Sequence, residues 1–170
     1  GDGSPALIAL NARLNLRKGK STRSLPIEEF FIDYGVQDLM AAEFIESIDI
    51  PQTSGSLKCY KVTKRFDQDI SAVCGCFLIK IINNKVTECR IAFGGMAATP
   101  KRALKTEKTL LGFSWTINTI NNAMNELKQD FSPIDDMRAS SYYRLKIAQN
   151  LLLRLFHEET NELLDTRDAR

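Results

Sequence analysis

Residues Ile70 to Phe93 read ISAVCGCFLIKIINNKVTECRIAF, and this stretch decides the fold class. Its first half, from Ile70 to Ile82, is largely apolar on both faces, which predicts a central β-strand that is covered on both sides. Asn83 and Asn84 come next, and because asparagine tolerates a positive φ, the pair predicts a hairpin turn. Val86 to Phe93 is then predicted to be the returning strand.

The sequence on either side of this hairpin adds one strand and two helices. Leu57 to Lys64 alternates in the manner of a third strand. Apolar residues then recur at spacings of three and four, which predicts a helix ending before Ser132 and a longer second helix with Asp135 and Asp136 near its start. They are Ile117, Ile120, Met124 and Leu127 in the first helix, and Tyr142, Leu145, Ala148, Leu152, Leu155 and Phe156 in the second. The order predicts an α+β fold with helices packed on one face of an antiparallel sheet.

The first third of the chain predicts a smaller α+β unit. Leu10 to Leu16 alternates as a strand, whereas the preceding residues from Ala6 fit either a strand or a short helix. A returning strand is predicted from Thr22 to Pro26, with a short helix after it, and another strand from Glu43 to Pro51. The polar segment Gln52–Ser56 resembles a linker, so we predict a boundary that divides the chain into residues 1–54 and 55–170.

The composition excludes two classes of protein. Hydrophobic residues make up 44% and charged residues 26% of the 170 residues, the balance of a soluble globular protein. The formal net charge of +2 is too small to indicate a nucleic-acid partner. The longest apolar stretch is shorter than the roughly 18 residues that cross a bilayer, so no membrane partner is expected.

The four cysteines do not predict a metal site. Cys74 and Cys76 project from the same face of a strand, but Cys59 and Cys89 stand alone, and structural zinc uses paired cysteines at close spacing.

The sequence begins at Gly1 and not at a methionine. We therefore expect that it is a piece of a longer protein or that its first residues are an addition. No export signal is present, so we expect reduced thiols and a cytoplasmic protein.

The sequence predicts no self-sufficient catalytic group. His157 is the one histidine, and its surroundings indicate a surface residue near a helix C-terminus. Gly94 and Gly95 lack the G-x-G-x-x-G spacing of a dinucleotide site, so we interpret them as a turn that requires an unusual φ.

A polar cluster runs from Lys58 to Asp69. It is either a solvated strand end with a salt-bridged loop, or a loop that presents cations to an anionic or electron-rich ligand such as phosphate or a reduced flavin. Strand alternation places Lys61 with Cys59 and Thr63, on the face opposite to Lys58, which argues against a simple basic stripe.

This cluster and the two strands after it resemble a known family. The segments Tyr60–Gly75 and Arg90–Ala97 resemble the FAD domain of xanthine dehydrogenase, within the molybdenum hydroxylase and CO dehydrogenase flavoprotein family, and most closely the small subunit of bacterial two-subunit enzymes. Further matches occur in the same order along the chain: Asp2–Leu10, Glu29–Phe31 with Tyr34, Ile48–Pro51, Asp136–Ser140 and Tyr143–Arg144. The resemblance implies that residues 1–54 end a FAD-binding domain and residues 55–170 form the C-terminal α+β domain.

The resemblance also implies a function. In this family a purine is oxidised at a molybdopterin centre in a large subunit, electrons pass through two [2Fe–2S] clusters, and FAD in the small subunit reduces NAD. The cysteine motifs of the iron–sulfur clusters and the glycine-rich segment that binds the FAD diphosphate are absent from these 170 residues. The chain alone is therefore expected to bind FAD weakly or not at all, and to be inactive. The alternative from another class is a non-catalytic adaptor that holds partner subunits together.

Three positions match flavin-contacting residues of the family. Lys61 corresponds to a lysine that contacts FAD, Asp2 to an aspartate that contacts FAD, and Ile45 to a leucine whose backbone and side chain meet the flavin. The loop Val62–Asp69 resembles a segment beside the flavin whose charges influence its potential and the access of NAD. No catalytic residue and no metal ligand is carried over.

Overall fold

The computed structural model describes residues 2–66 and 68–160, so residue 67 of the predicted flavin-side loop and residues 1 and 161–170 lie outside the described part. The N-terminal elements are α1 (Gly3–Ala9), β1 (Arg13–Lys18), β2 (Ser21–Pro26), α2 (Ile27–Phe30), β3 (Phe31–Asp33), β4 (Val36–Gln37) and β5 (Phe44–Asp49). The C-terminal elements are β6 (Ser56–Val62), β7 (Val73–Ile82), β8 (Lys85–Gly94), β9 (Lys101–Arg102), α3 (Leu104–Leu110), α4 (Ile117–Asp130) and α5 (Ser141–Glu159).

The C-terminal elements form a four-stranded antiparallel sheet in the order β6-β7-β8-β9. The predicted hairpin is present, with Asn83 at φ 49° and Asn84 at φ 58°. The predicted start of β7 at Ile70 is wrong, since the strand begins at Val73. The Asp69 carboxylate accepts the N–H groups of Arg65 and Ile70, so this segment is part of a loop, and Ile70 is exposed.

Strand β7 lies in the centre of this sheet and is buried on both faces, as predicted. On one face Phe77 packs edge-on against Phe93 with ring centroids 5.5 Å apart, in a core shared with α4 and α5. On the other face Cys74, Cys76 and Leu78 pack against α1 and β1. The α+β prediction is confirmed, and the second face is closed by the N-terminal elements.

Those N-terminal elements form a three-stranded antiparallel sheet, β2-β1-β5, and a β3–β4 hairpin. The ambiguous segment from Ala6 is a helix, α1, which precedes β1. Arg90 of β8 donates hydrogen bonds to the carbonyl oxygens of Ile8 and Ala9, at 2.8 Å and 3.1 Å, and so fixes the end of α1 on the larger sheet. Side chains of the two regions pack in one shared core, so the structure does not separate them into two domains. The boundary between residues 54 and 55 therefore stays a prediction.

No helix in the described ranges, 2–66 and 68–160, combines the length and the apolar character that crossing a membrane requires.

Candidate functional site

Asp2 and Lys61 form an ion pair where the N-terminal helix meets strand β6. The Lys61 ammonium lies 2.9 Å from one carboxylate oxygen of Asp2, and the Ser71 hydroxyl donates to the other at 2.6 Å. The contact arises because α1 packs across β7 and β8, which places Asp2, just before the helix, beside the end of β6. The structure thus brings together two of the three residues that the resemblance selected.

The pair keeps both charges and both side chains remain accessible. The hydrogen bond to Asp2 raises the pKa of Lys61 above its ordinary value. Partial burial alone raises the pKa of Asp2, but the hydrogen bonds from Ser71 and Lys61 outweigh it and hold this pKa below its usual value. The two side chains are 48% and 41% exposed, so a cation and a carboxylate stand at the surface with bonding capacity left for a ligand.

Ile45 lies in the other sheet, on the edge strand β5. It stands opposite Leu16 of β1 next to a bulge, and it is 43% exposed. Arg23 holds the segment that leads into β5 by pairing with Asp38 and Glu43, both at 2.8 Å, and the hydrogen bond from Arg23 is the main cause that lowers the pKa of Glu43 to about 2. The structure leaves Ile45 on an open strand, apart from the sheet that carries Lys61.

The surface around Ile45 is apolar. Large apolar side chains that are at least 40% exposed cluster on the β3–β4 hairpin, on the loop after it and on β5; they are Ile32, Tyr34, Val36, Leu39, Met40, Phe44, Ile45, Ile48 and Ile50. Large exposed apolar side chains in this number are typical of a surface that another protein segment covers.

A cleft of about 610 Å³ opens beside Asp2. Ser71, Gly94 and Gly95 line it together with Arg144, whose buried guanidinium donates to the carbonyl oxygen of Gly95 at 2.8 Å. Gly95 has a φ of +79°, which confirms the predicted turn, and a Cβ there would lie 2.3 Å from the carbonyl oxygen of Ala72. Sequence reasoning missed Ser71 and Arg144, because both act through contacts distant in the chain.

The predicted cationic loop has its own anchor. Lys64 donates to the carbonyl oxygen of Met137 at 2.7 Å, and Arg65 pairs with Asp69 at 3.3 Å. Lys64, Arg65 and Arg138 line a second cleft of about 450 Å³. This loop is therefore both salt-bridged, as the first interpretation held, and rich in accessible cations, as the second held.

The cysteines divide between the two faces of the larger sheet. Cys74 and Cys76 share one face, as predicted, and Cys59 lies opposite Cys76 on the same side. Cys89 is buried in the core of the other face. His157, near the end of α5, is half-buried, with its ring edge-on to Phe156. Among residues 2–66 and 68–160, no three side chains of the metal-binding types gather in a ligand arrangement.

Comparison with known proteins gives two matching family models. Residues 58–159 match the CO dehydrogenase flavoprotein C-terminal domain, and residues 1–53 match the FAD binding domain in molybdopterin dehydrogenase. The two matched ranges meet at the linker segment, and Lys61 and Asp2 fall one in each range.

Individual relatives cover most of this chain. The glyceraldehyde dehydrogenase medium chain of Sulfolobus acidocaldarius is 27% identical over 89% of the chain, and the xanthine dehydrogenase FAD-binding subunit of Escherichia coli O157:H7 is 26% identical over 92%. The chain spans about half of these curated relatives, 54% and 55% of their lengths.

A solved structure shares the fold. Quinoline 2-oxidoreductase from Pseudomonas putida 86 superposes with a TM-score of 0.81 at 19% identity, over 91% of this chain and 54% of that one. The family match, which extends over more than half of the residues, confirms the resemblance found in the sequence. The chain belongs to the CO dehydrogenase flavoprotein C-terminal domain family, preceded by the end of a molybdopterin dehydrogenase FAD-binding domain.

Proposed function

We propose that this chain is part of the FAD module of a molybdenum hydroxylase and that the flavin binds against Lys61. The observation that carries the proposal is the ion pair of Lys61 with Asp2, which joins the two family-matched segments at an accessible surface. The family resemblance selected both residues, although they lie far apart in the sequence, and their meeting at 2.9 Å is what one shared ligand would require.

The chemistry of the residues fits a flavin. FAD, when bound, supplies the acceptance and onward transfer of electrons. Lys61 donates hydrogen bonds to electron-rich ring atoms, and its positive charge favours the negative charge that a ring gains on reduction. Asp2 accepts hydrogen bonds from hydroxyl or N–H groups. Ile45 offers a half-exposed apolar side chain and a strand backbone.

The exposed apolar surface on β3, β4 and β5 supports a larger assembly. We propose that it is covered by the remainder of the FAD-binding region and by the iron–sulfur region of the enzyme. A large subunit with molybdopterin would supply the electrons, through [2Fe–2S] clusters outside this chain. The unpaired thiols of the chain favour a cytoplasmic enzyme.

The electron acceptor is proposed to be NAD, and the oxidised substrate a purine, as in xanthine dehydrogenase. The cleft of about 610 Å³ next to Asp2 leaves room for a second ligand beside the flavin, and its lining includes two cations, Arg138 and Arg144, together with the carboxylates of Asp2 and Asp136. The relatives differ in the compound that they are named for, which is glyceraldehyde, xanthine or quinoline. The purine assignment therefore rests on the sequence resemblance alone.

The test compares two lysines of one strand in the flavoprotein subunit that contains this chain. Lys61→Ala removes a cation from the Asp2 face, and Lys58→Ala removes one from the opposite face. A charge-assisted hydrogen bond is worth about 1.5–3 kcal/mol, so Lys61→Ala is expected to weaken FAD binding by about 10- to 100-fold, while Lys58→Ala leaves it unchanged. Equilibrium titration with FAD, followed by flavin absorbance, measures both.

Two outcomes would contradict the proposal. Equal FAD affinity and equal rates of NAD reduction in the Lys61→Ala variant and the unmodified subunit would remove Lys61 from the site. A subunit that purifies without visible flavin absorbance, and gains none on addition of FAD, would favour the adaptor.

A further inference from the structure

Three thiols lie together on the face of the larger sheet that also carries Lys61. Cys59 of β6 stands directly opposite Cys76 of β7 in the antiparallel register, and Cys74 stands opposite Lys61, one alternation further along. Cys59 is exposed, whereas Cys74 and Cys76 are buried against α1.

One pair in this group has the separation that a disulfide needs. Residues directly opposite each other in an antiparallel ladder have Cα atoms about 4.5–5.5 Å apart, within the range of about 4.4–6.8 Å seen across disulfides. Cys74 and Cys76 point to the same side of one strand, so their Cβ vectors run parallel and do not converge. Cys89 faces the opposite core.

The two members of the pair have complementary environments. Hydrogen bonding from the Cys76 thiol lowers the pKa of both Cys59 and Cys74, and of these two only Cys59 is exposed to a reagent in solution. Hydrogen bonds with Cys59 and Cys74, together with burial, raise the pKa of Cys76, which therefore keeps its proton beside the Cys59 sulfur. A peroxide-sensitive dithiol has an exposed sulfur that reacts first and a nearby partner thiol that then forms the disulfide. Cys59 and Cys76 have this arrangement.

We propose that Cys59 and Cys76 are a redox-active dithiol that hydrogen peroxide oxidises to an intramolecular disulfide. The Cys59 thiolate attacks one peroxide oxygen; an S–O bond forms, the O–O bond breaks, and the departing hydroxide takes up a proton to become water. The Cys76 sulfur then attacks the Cys59 sulfenic acid, the S–S bond forms, and the hydroxyl leaves with the Cys76 proton as a second water. Two thiols lose two electrons, and peroxide is reduced to two waters.

The position of the pair links it to its surroundings. Cys59 lies two residues before Lys61 on the same face, and the Cys74 thiol approaches the carbonyl oxygen of Asp2 at 3.7 Å. The disulfide would thus form beside the Asp2–Lys61 pair. The inference rests on register and exposure, so it is independent of whether FAD binds there.

The experiment treats the folded chain with hydrogen peroxide, removes the peroxide, unfolds the chain in urea with N-ethylmaleimide to block the remaining thiols, and maps the products by mass spectrometry. Loss of two of the four thiols is expected, with the Cys59 peptide joined to the peptide that carries Cys76. Cys74→Ser and Cys89→Ser are expected to retain this cross-link. Cys76→Ser is expected to lose it and to leave a Cys59 sulfenic acid that dimedone traps.

Several results would overturn the proposal. One is that all four thiols are still free after peroxide when they are counted in the unfolded chain. Another is a cross-link that survives in Cys76→Ser but not in Cys74→Ser. A third is the formation of intermolecular disulfides through Cys59 and no intramolecular one. Because Cys59 is exposed, Cys59→Ser tests the proposal without risk to folding. Its three remaining thiols are expected to resist peroxide, and their oxidation to a disulfide would also refute the pairing.

Discussion

Strands β7 and β5 both carry large apolar side chains, but they lie in opposite environments. Seven of the ten residues of β7 are buried, and both of its faces are covered by other parts of the chain. All six residues of β5 are exposed, although three of them are Phe44, Ile45 and Ile48. Both strands are held by backbone pairing, so the difference lies in what covers their side chains.

The difference shows which part of the chain is self-sufficient. The apolar side chains of β7 find partners in α5 and α1, within the same 170 residues. Those of β5 lie on an edge strand of the three-stranded sheet, and each is at least 40% exposed. Since removal of apolar surface from water contributes about 25 cal/mol per Å², the β5 surface offers binding energy that folding of the described chain leaves unused.

The sharpest test of this contrast makes the same substitution in both strands. Phe77 of β7 is fully buried, so Phe77→Ala is expected to lower the free energy of unfolding by about 3–5 kcal/mol. Phe44 of β5 is 53% exposed, so Phe44→Ala is expected to cost less than about 1 kcal/mol. Equilibrium unfolding in urea measures both values. Equal losses would mean that β5 is as well packed as β7, and the contrast would fail.

A second test concerns the backbone that borders the cleft. Gly95 and Gly112 both have a positive φ, +79° and +84°, but only at Gly95 would a Cβ meet the Ala72 carbonyl oxygen, at 2.3 Å. Gly112→Ala is expected to cost about 1 kcal/mol of unfolding free energy, from backbone strain. Gly95→Ala adds the steric clash, so a loss at least about 1–2 kcal/mol larger is expected. Thermal denaturation measures the loss of unfolding free energy in the two variants. Equal losses would show that the turn at Gly95 can shift to accommodate a Cβ.

Much of the fold could be predicted because its signals are local. The Asn83–Asn84 turn, the alternation in β6 and the helical spacing in α4 and α5 each depend on a few neighbouring residues. The short elements β9, α3 and the β3–β4 hairpin were missed, because two- to seven-residue segments carry too few periods to be distinguished from loops. The start of β7 was misplaced because the loop before it holds an apolar residue, Ile70, and is closed by hydrogen bonds to the Asp69 side chain and not by a Gly or Pro.

The site was predictable only in part. Alternation placed Lys61 on the correct face, but its partner Asp2 lies 59 positions away and was selected by family resemblance, not by any local pattern. Ser71 and Arg144 lie in segments that match the family but were not selected as site residues, because their roles depend on how α1 and α5 dock on the sheet. Long-range packing therefore decides which of the chemically suitable residues meet.

The smallest expected effect tests whether β5 serves the cofactor. Ile45 and Ile48 stand opposite the buried Leu16 and Leu14, and they are 43% and 42% exposed. In the FAD-binding subunit, Ile45→Ala removes part of an apolar contact but leaves the backbone in place, so FAD affinity is expected to fall by less than about tenfold. Ile48→Ala is expected to leave FAD affinity unchanged, and each variant should alter the stability of the chain by less than about 1 kcal/mol. FAD titration and urea unfolding of both variants separate the two effects. A loss of FAD affinity as large with Ile48→Ala as with Ile45→Ala would mean that the apolar strand supports neighbouring protein and does not contact the flavin through Ile45.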